Sequence, residues 1–212
     1  MTARRHPAIT IPPDLERIRL ALASTQLPDR PPEGKQAAVA LVLAGEAADL
    51  HMCLILRAEH EHDRWSGHMA LPGGRVDGGD PSARAAAIRE TWEEVGSRLD
   101  RAPCLGSLET QPVRSAGKLT DMSLSSFVFH LGEALERLTP TDEVAEAFWV
   151  PLRHLLDPAN AVHRPTLRDG VTLDRPAVLY QGHYIWGLTH RVLTMFFEHM
   201  QLQIGYPKPP GE

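Results

Sequence analysis

An α+β fold, with a mixed sheet packed against a few helices in one domain, is what this sequence predicts. Three observations lead to it. Strand-like apolar runs follow one another without a helix between each pair, so the strict βαβ alternation of a parallel sheet is missing. Few segments carry apolar residues at helical spacing, and no internal repeat or long low-complexity tract interrupts them. The chain has 212 residues, 42% hydrophobic and 23% charged, the size and composition of one medium globular domain. A chain of that length can bury a sizeable core without staples.

The elements follow in order. Residues 15–24 predict a short amphipathic helix with Leu15, Ile18, Leu20, Leu22 and Ala23 as its apolar set. "LPDRPPEGK", at 27–35, is a proline-rich connector. "AAVALVLAG", at 37–45, is a continuous apolar run ending in glycine, as suits a buried strand. "HMCLILR" follows after a polar turn and is expected to pair with it as a hairpin. A charged loop, "AEHEHDRWSGH", and a short extended "MALP" then lead to a cluster of glycines. Beyond Gly96, residues 104–110 and 123–131 read as strands, and 146–156 as a strand that turns into a short helix at Pro151. Further strands are expected at 171–173 and 177–180. A closing helix over 186–202 carries Leu188, Val192, Leu193, Phe196 and Met200. The expected division is a helix and connector at 1–34, the main domain at 35–204 and a tail at 205–212.

Charge and cysteine content exclude several functions. Twenty-two basic against 27 acidic residues give a net charge of −5, which argues against a broad nucleic-acid surface. Cys53 and Cys104, the two cysteines, provide neither a disulfide framework nor a four-cysteine zinc site. No secretory signal is evident, and no run approaches the ~18 apolar residues of a membrane span. A cytoplasmic protein is expected. His60 and His62 alternate in a loop with no partner pair at zinc spacing, so an exposed polar loop is expected there.

The chemistry concentrates in "PGGRVDGGDPSARAAAIRETWEEVG", at 72–96. Asp80-Pro81 predicts a helix start, with aspartate capping free amides and proline in the first turn. "ARAAAIRE" is rich in helix formers, and Gly96 falls where a left-handed C-cap is expected. The predicted helix spans 81–95, with Ala85, Ile88, Trp92 and Val95 seating it on the core. Glu90, Glu93 and Glu94 stand at i, i+3 and i+4 and share a face. Three like charges near a helix C-terminus repel one another and oppose the dipole, so a cation should compensate. A solvated acidic face partnered by Arg89 and Arg98 would do so. So would Mg²⁺ or Mn²⁺, which prefer hard oxygen ligands together with water and substrate phosphate. The glycines immediately before the helix allow close backbone approach, which favours the metal.

This stretch resembles the Nudix box: a glycine, a spaced acidic residue, then Arg-Glu-apolar-any-Glu-Glu-any-Gly. Arg89, Glu90, Glu93, Glu94 and Gly96 match in type and spacing. Thr91 replaces the usual aliphatic residue. The gap from Gly74 to Arg89 is one residue longer than in the commonest form, Pro81 occupies the first acidic position, and Asp80 is expected to stand in for it. The resemblance implies an α/β/α sandwich with a mixed sheet, and a divalent-metal hydrolase of a nucleoside diphosphate linked to another moiety. It implies that Glu90, Glu93, Glu94 and the Gly74 carbonyl hold Mg²⁺ or Mn²⁺, and that Arg89 steers the glutamates. "TDEVAEAFWVPL" resembles a late segment of the family in which a carboxylate supports catalysis, and Glu143 is preferred there over Glu146.

"RWSGHMALPGG" and "YIWGLTHRVL" are similar to segments of the coenzyme A pyrophosphatase branch. In the first outline Leu71 replaces phenylalanine and the Arg64-to-Gly67 gap is short by one. That likeness implies substrate contacts from Arg57, Arg64, Gly73 and Gly74, and hydrolysis of coenzyme A or an acyl derivative to 3′,5′-ADP and 4′-phosphopantetheine. Arg57 and Arg64 could cradle the 3′-phosphate or the diphosphate bidentately, or could equally pair with Glu59, Glu61 or Asp63, and Trp186 and Leu188 could simply pack in the core. Competing functions are hydrolysis of ADP-ribose, NADH, dinucleoside polyphosphates or nucleoside triphosphates, and a nucleotide-binding sensor that has lost its chemistry. RNA decapping is disfavoured by the acidic balance and the lack of an aromatic-basic tract. The partner expected is a small nucleoside diphosphate derivative, with no stable nucleic acid and no membrane; a homodimer is compatible with the sequence.

Overall fold

The computed structural model describes residues 11–25, 34–61, 65–115, 118–168 and 170–205. Arg64, most of the proline-rich connector and most of the expected tail lie outside them.

The helix α1 (Leu15–Leu22) is capped by Asp14, whose carboxylate accepts from Arg17 N–H at 2.8 Å. It buries Ile18 and Leu22, whereas Leu20 stays 71% exposed, so the buried stripe is narrower than the apolar set predicts. The strands β1 (Lys35–Ala44) and β2 (His51–Arg57) form the expected antiparallel hairpin, with Leu43 opposite Met52 and Ala44 opposite His51. Two short strands, β3 (Met69–Ala70) and β4 (Gly73–Arg75), precede the helix α2 (Ala83–Val95). The long strands β5 (Cys104–Ser115) and β6 (Lys118–His130) pair antiparallel. β7 (Val144–Pro151) runs straight into α3 (Leu152–Leu156), the expected turn at Pro151. The chain then forms β8 (Ala161–Arg168), β9 (Val171–Tyr180), β10 (His183–Trp186) and α4 (Gly187–Glu198).

Seven strands form the main sheet, ordered β3-β2-β1-β6-β5, with β4 on β1 and β7 on β2. β1 runs parallel to β6 from Lys35–Met122 to Leu43–His130, and the other pairings are antiparallel, which makes the sheet mixed. β1 changes partner along its length. Ala37 to Val39 pair with β4, whereas Leu43 and Ala44 pair with β2. The segment 69–75 crosses between them, from β2 to β1, and places Gly73 and Gly74 where the sheet divides.

Helices cover both faces. On one, Ala86, Ala87 and Val95 of α2 pack on Ala38, Ala40, Val42, Cys53, Ile55, Phe127 and Phe129. On the other, α1, α3 and α4 enclose Leu41, Leu43, Met52, Leu54 and Val128 with Phe196 and Phe197. The alternation of β1 between the two clusters explains its uninterrupted apolar run.

A second sheet, ordered β10-β9-β8, departs from expectation. The two strands expected at 171–180 are one, and β8 and β10 were not expected at all. Alternation here is diluted by Pro165, Arg164, Arg175 and Pro176, which hide its period. The closing helix starts at Gly187 because His183 to Trp186 are drawn into pairing with β9, and it ends at Glu198, short of the expected residue 202.

Candidate active site

The helix α2 begins two residues later than predicted. Ser82 is its N-cap, with Oγ accepting from Ala85 N–H at 3.2 Å. Asp80 cannot serve as cap because its carboxylate is engaged elsewhere. Oδ1 accepts from Arg89 Nε at 3.0 Å, and Oδ2 from Arg89 Nη2 at 2.9 Å and from Asp77 N–H at 2.8 Å. This bidentate pair is the arrangement in which guanidinium and carboxylate bond most strongly. It holds the Asp80 carboxyl below the ordinary aspartate range, chiefly through the Arg89 bond. Asp80 thus occupies the role expected of the first acidic residue. The Arg89 guanidinium, its proton held still more firmly by the same bond, also reaches Glu90 Oε1 at 3.0 Å, Glu93 Oε2 at 2.8 Å and the Arg75 carbonyl at 3.2 Å. One side chain therefore ties the helix to the glycine turn and to two of the three glutamates.

The three glutamates do not share one environment. Side-chain exposure is 53% for Glu93, 16% for Glu90 and 3% for Glu94. The buried stripe of α2 runs through Ala87, Thr91, Glu94 and Val95, rather than through Trp92, which is 50% exposed with Arg98 5.1 Å above its ring. Thr91 takes the buried aliphatic position by returning its hydroxyl to the Ala87 carbonyl at 2.7 Å. Glu94 is buried against the point where the sheet divides. Its Oε2 accepts from Gly73 N–H at 2.8 Å, and its Oε1 lies 3.7 Å from Arg57 Nη1. Burial raises its pKa to about 8; the Gly73 bond and Arg57 oppose the rise, and Glu90 and Glu143 add to it by repulsion. The pKa of Glu90 is raised too, first by burial, with Arg89 opposing.

The glycines are explained by these contacts. A Cβ on Gly74 would lie within 2.5 Å of both carboxylate oxygens of Glu90. Gly73 has φ +145° and sits against the Ala38 carbonyl, a conformation and a spacing that exclude other residues. Arg57, His60, Asp142 and Glu143 line a cleft of about 300 Å³ beside Glu94. The loop is pinned there: Ala58 N–H donates to the Glu143 carbonyl at 2.9 Å, and Ser66 Oγ bonds both the amide and the carbonyl of His60. Glu146 is exposed and stands opposite Leu56 in the strand register, away from this cleft.

Glu94, Glu90, Glu143, Arg57, Gly73 and Gly74 are thus brought together, with Arg89 behind them. Glu93 faces solvent. Among the described residues no three His, Cys, Asp or Glu side chains converge at metal-ligating distances, because Arg89 takes Glu90 and Glu93. The donor chemistry still fits a divalent cation. The oxygens are hard, and two of the carboxylates are held in low dielectric where a nearby positive charge would relieve their repulsion. Asp142 lines the cleft without any expectation from the sequence, and His60, expected only in an exposed polar loop, lines it too. Both sit in irregular segments, where periodicity carries no signal.

The model of the NUDIX domain family matches residues 34–170. Among curated proteins, an uncharacterized protein of Schizosaccharomyces pombe is 42% identical over 51% of this chain, which spans only 34% of that relative's length. The human mitochondrial coenzyme A diphosphatase NUDT8 is 32% identical over 84% of this chain and 72% of its own. A MutT/nudix family protein from Enterococcus faecalis has the same fold, with a TM-score of 0.53 and 19% identity over 84% of this chain and 66% of that one. With the box residues assembled around Glu94 and the family model covering most of the sheet, the chain belongs to the Nudix family of pyrophosphohydrolases.

Proposed function

We propose that this protein hydrolyses the diphosphate of coenzyme A or an acyl-coenzyme A, releasing 3′,5′-ADP and 4′-phosphopantetheine or its acyl form. The observation that carries the reading is the meeting of Arg57 with buried Glu94 at a cleft that Glu143 also lines. A cation able to bind phosphate stands there beside carboxylates that burial leaves short of positive charge. The likeness to a relative named as a coenzyme A diphosphatase supports the substrate class.

In this reading Glu90, Glu93, Glu94 and the Gly74 carbonyl hold Mg²⁺ or Mn²⁺, which supplies charge neutralisation at the diphosphate and lowers the pKa of water. Arg57, Arg64 and the Gly73–Gly74 backbone seat the diphosphate, and Arg89 fixes Glu90 and Glu93. Glu143, which lines the cleft with Arg57, orients the water that attacks one phosphorus. The bond from that phosphorus to the bridging oxygen breaks, and the other phosphate leaves. We place the protein in the cytoplasm, a compartment that suits its two free thiols.

Incubating the purified protein with Mg²⁺ and a panel of coenzyme A, acetyl-coenzyme A, ADP-ribose, NADH and diadenosine tetraphosphate, with chromatographic identification of products, tests the proposal. Release of 3′,5′-ADP from coenzyme A is expected to be the fastest reaction. Turnover of ADP-ribose or NADH with none of coenzyme A would remove the substrate assignment.

A further inference from the structure

The small sheet has two unlike faces. Val178 and Ile185 point into the core. On the opposite face, period-two alternation and the register set Arg164 on β8, Arg175 and Ala177 on β9, and Tyr184 and Trp186 on β10. Ala177 stands between Val162 and Trp186, and its small side chain leaves room for Arg164 to reach diagonally across. The guanidinium carbon of Arg164 lies 4.0 Å from the centre of the Trp186 ring and 5.8 Å from that of Tyr184. The side chain is therefore held in place by cation–π contact, with one bond of 3.3 Å to Thr166 Oγ1.

Arg164 and Arg175 are direct cross-strand neighbours. Like charges so placed destabilise a sheet. Among the described residues neither arginine has a carboxylate partner, and this in a protein of net charge −5. A packing role explains neither the repeated positive charge nor its lack of a counter-charge. An anion laid across both guanidinium groups explains both.

The face also connects to the cleft. His68 meets Trp186 edge-on at 4.9 Å, and the His68 carbonyl accepts from Arg57 N–H at 3.1 Å. Arg57 is the residue that reaches Glu94. Thr189 Oγ1, in the first turn of α4 just after β10, donates to the Met69 carbonyl at 3.1 Å and ties the start of that helix to the strand that feeds Gly73 and Gly74.

We propose that Arg164 and Arg175 form a second phosphate-recognition subsite. It takes a phosphate monoester on the nucleoside half of the substrate, outside the diphosphate that is cut, with Trp186 holding Arg164 in position. The proposal rests on the coenzyme A reading above, because coenzyme A carries such a phosphate and 3′-dephospho-coenzyme A does not. It makes these arginines specificity residues that distinguish the two.

The test is kcat/KM for coenzyme A and for 3′-dephospho-coenzyme A in the wild type, Arg164→Gln and Arg175→Gln. Arg175 is exposed, so its replacement separates recognition from folding. The wild type is expected to prefer coenzyme A by about tenfold or more, the scale of a charge-assisted phosphate contact. The ratio should fall toward one in the variants, mainly through KM. A wild-type ratio of one, or an unchanged ratio in both variants even with lower activity on both substrates, would overturn the subsite while leaving the proposed function standing. A wild type that cuts neither compound would overturn the proposed function, and the subsite with it.

Discussion

Asp80 shows how a single side chain absorbs an irregular spacing. The box is one residue longer than its commonest form, and the extra length puts proline where a carboxylate is expected. The turn shifts the task back by one position, and Asp80 meets Arg89 at 3.0 and 2.9 Å. The Asp80 side chain is only 7% exposed, whereas that of Arg89 is 30% exposed. Asp80→Asn should lower unfolding stability by roughly 1–3 kcal/mol in urea titrations at pH 7, the range for a bond to a charged group. The folded-state pKa of Asp80 is depressed, so its contribution is complete above the unfolded aspartate pKa of about 3.9 and lost as pH falls through the lower folded value. The variant should therefore also show a shallower acid limb in Tm against pH; equal limbs would contradict the pairing. Gly74→Ala makes a steric test of the same site. The new methyl group would displace the Glu90 carboxylate, so turnover should fall by at least about tenfold while circular dichroism stays native.

At the scale of elements, α2 depends on Ser82 rather than Asp80. Ser82→Ala should cost about 1 kcal/mol in stability, and Pro81→Ala much less, since proline lies outside the hydrogen-bonded helix. The reverse order would restore the start read from the sequence. That reading found the helix and its glycine cap, because spacing and residue type signal both. It misplaced the helix start because capping competence does not show which carboxylate is already bound. It turned Trp92 inward because a large apolar ring outweighs a threonine in any pattern, whereas the burial of Thr91 depends on a back-bond invisible in sequence. It found the hairpin of β1 and β2 and the strand-to-helix turn at Pro151, but not β8 and β10. Their outward positions carry arginine, tyrosine and tryptophan, and their pairing is set by tertiary contact.

For the molecule as a whole, one feature of the sheet positions the chemistry. The change of partner along β1 leaves a division in the sheet, and the glycine turn, Arg57 and the buried end of α2 converge there. The far face of the sheet is closed by α1, whose Leu22 is fully buried in the same core as Phe196 and Phe197. Leu22→Ala should cost about 2–5 kcal/mol, measured by denaturant unfolding; a loss below about 0.5 kcal/mol would make α1 an appendage. Glu94 gives the metal-free protein a pH dependence of opposite sign to that of Asp80. Its folded pKa, pushed up to about 8, exceeds the unfolded value, so the folded state holds a proton that the unfolded state releases. Stability in EDTA should therefore fall as pH rises from about 4.5 to 8, and Glu94→Gln should flatten that slope. The proposed role of Glu94 and its neighbours is a metal-dependent site for cutting a diphosphate. It is tested most directly by the Mg²⁺ dependence of coenzyme A hydrolysis in wild type and Glu94→Gln at matched folded concentration. Mg²⁺-dependent turnover is expected in the wild type, with a loss of kcat of at least about tenfold in the variant. Equal, Mg²⁺-responsive turnover in both would contradict it.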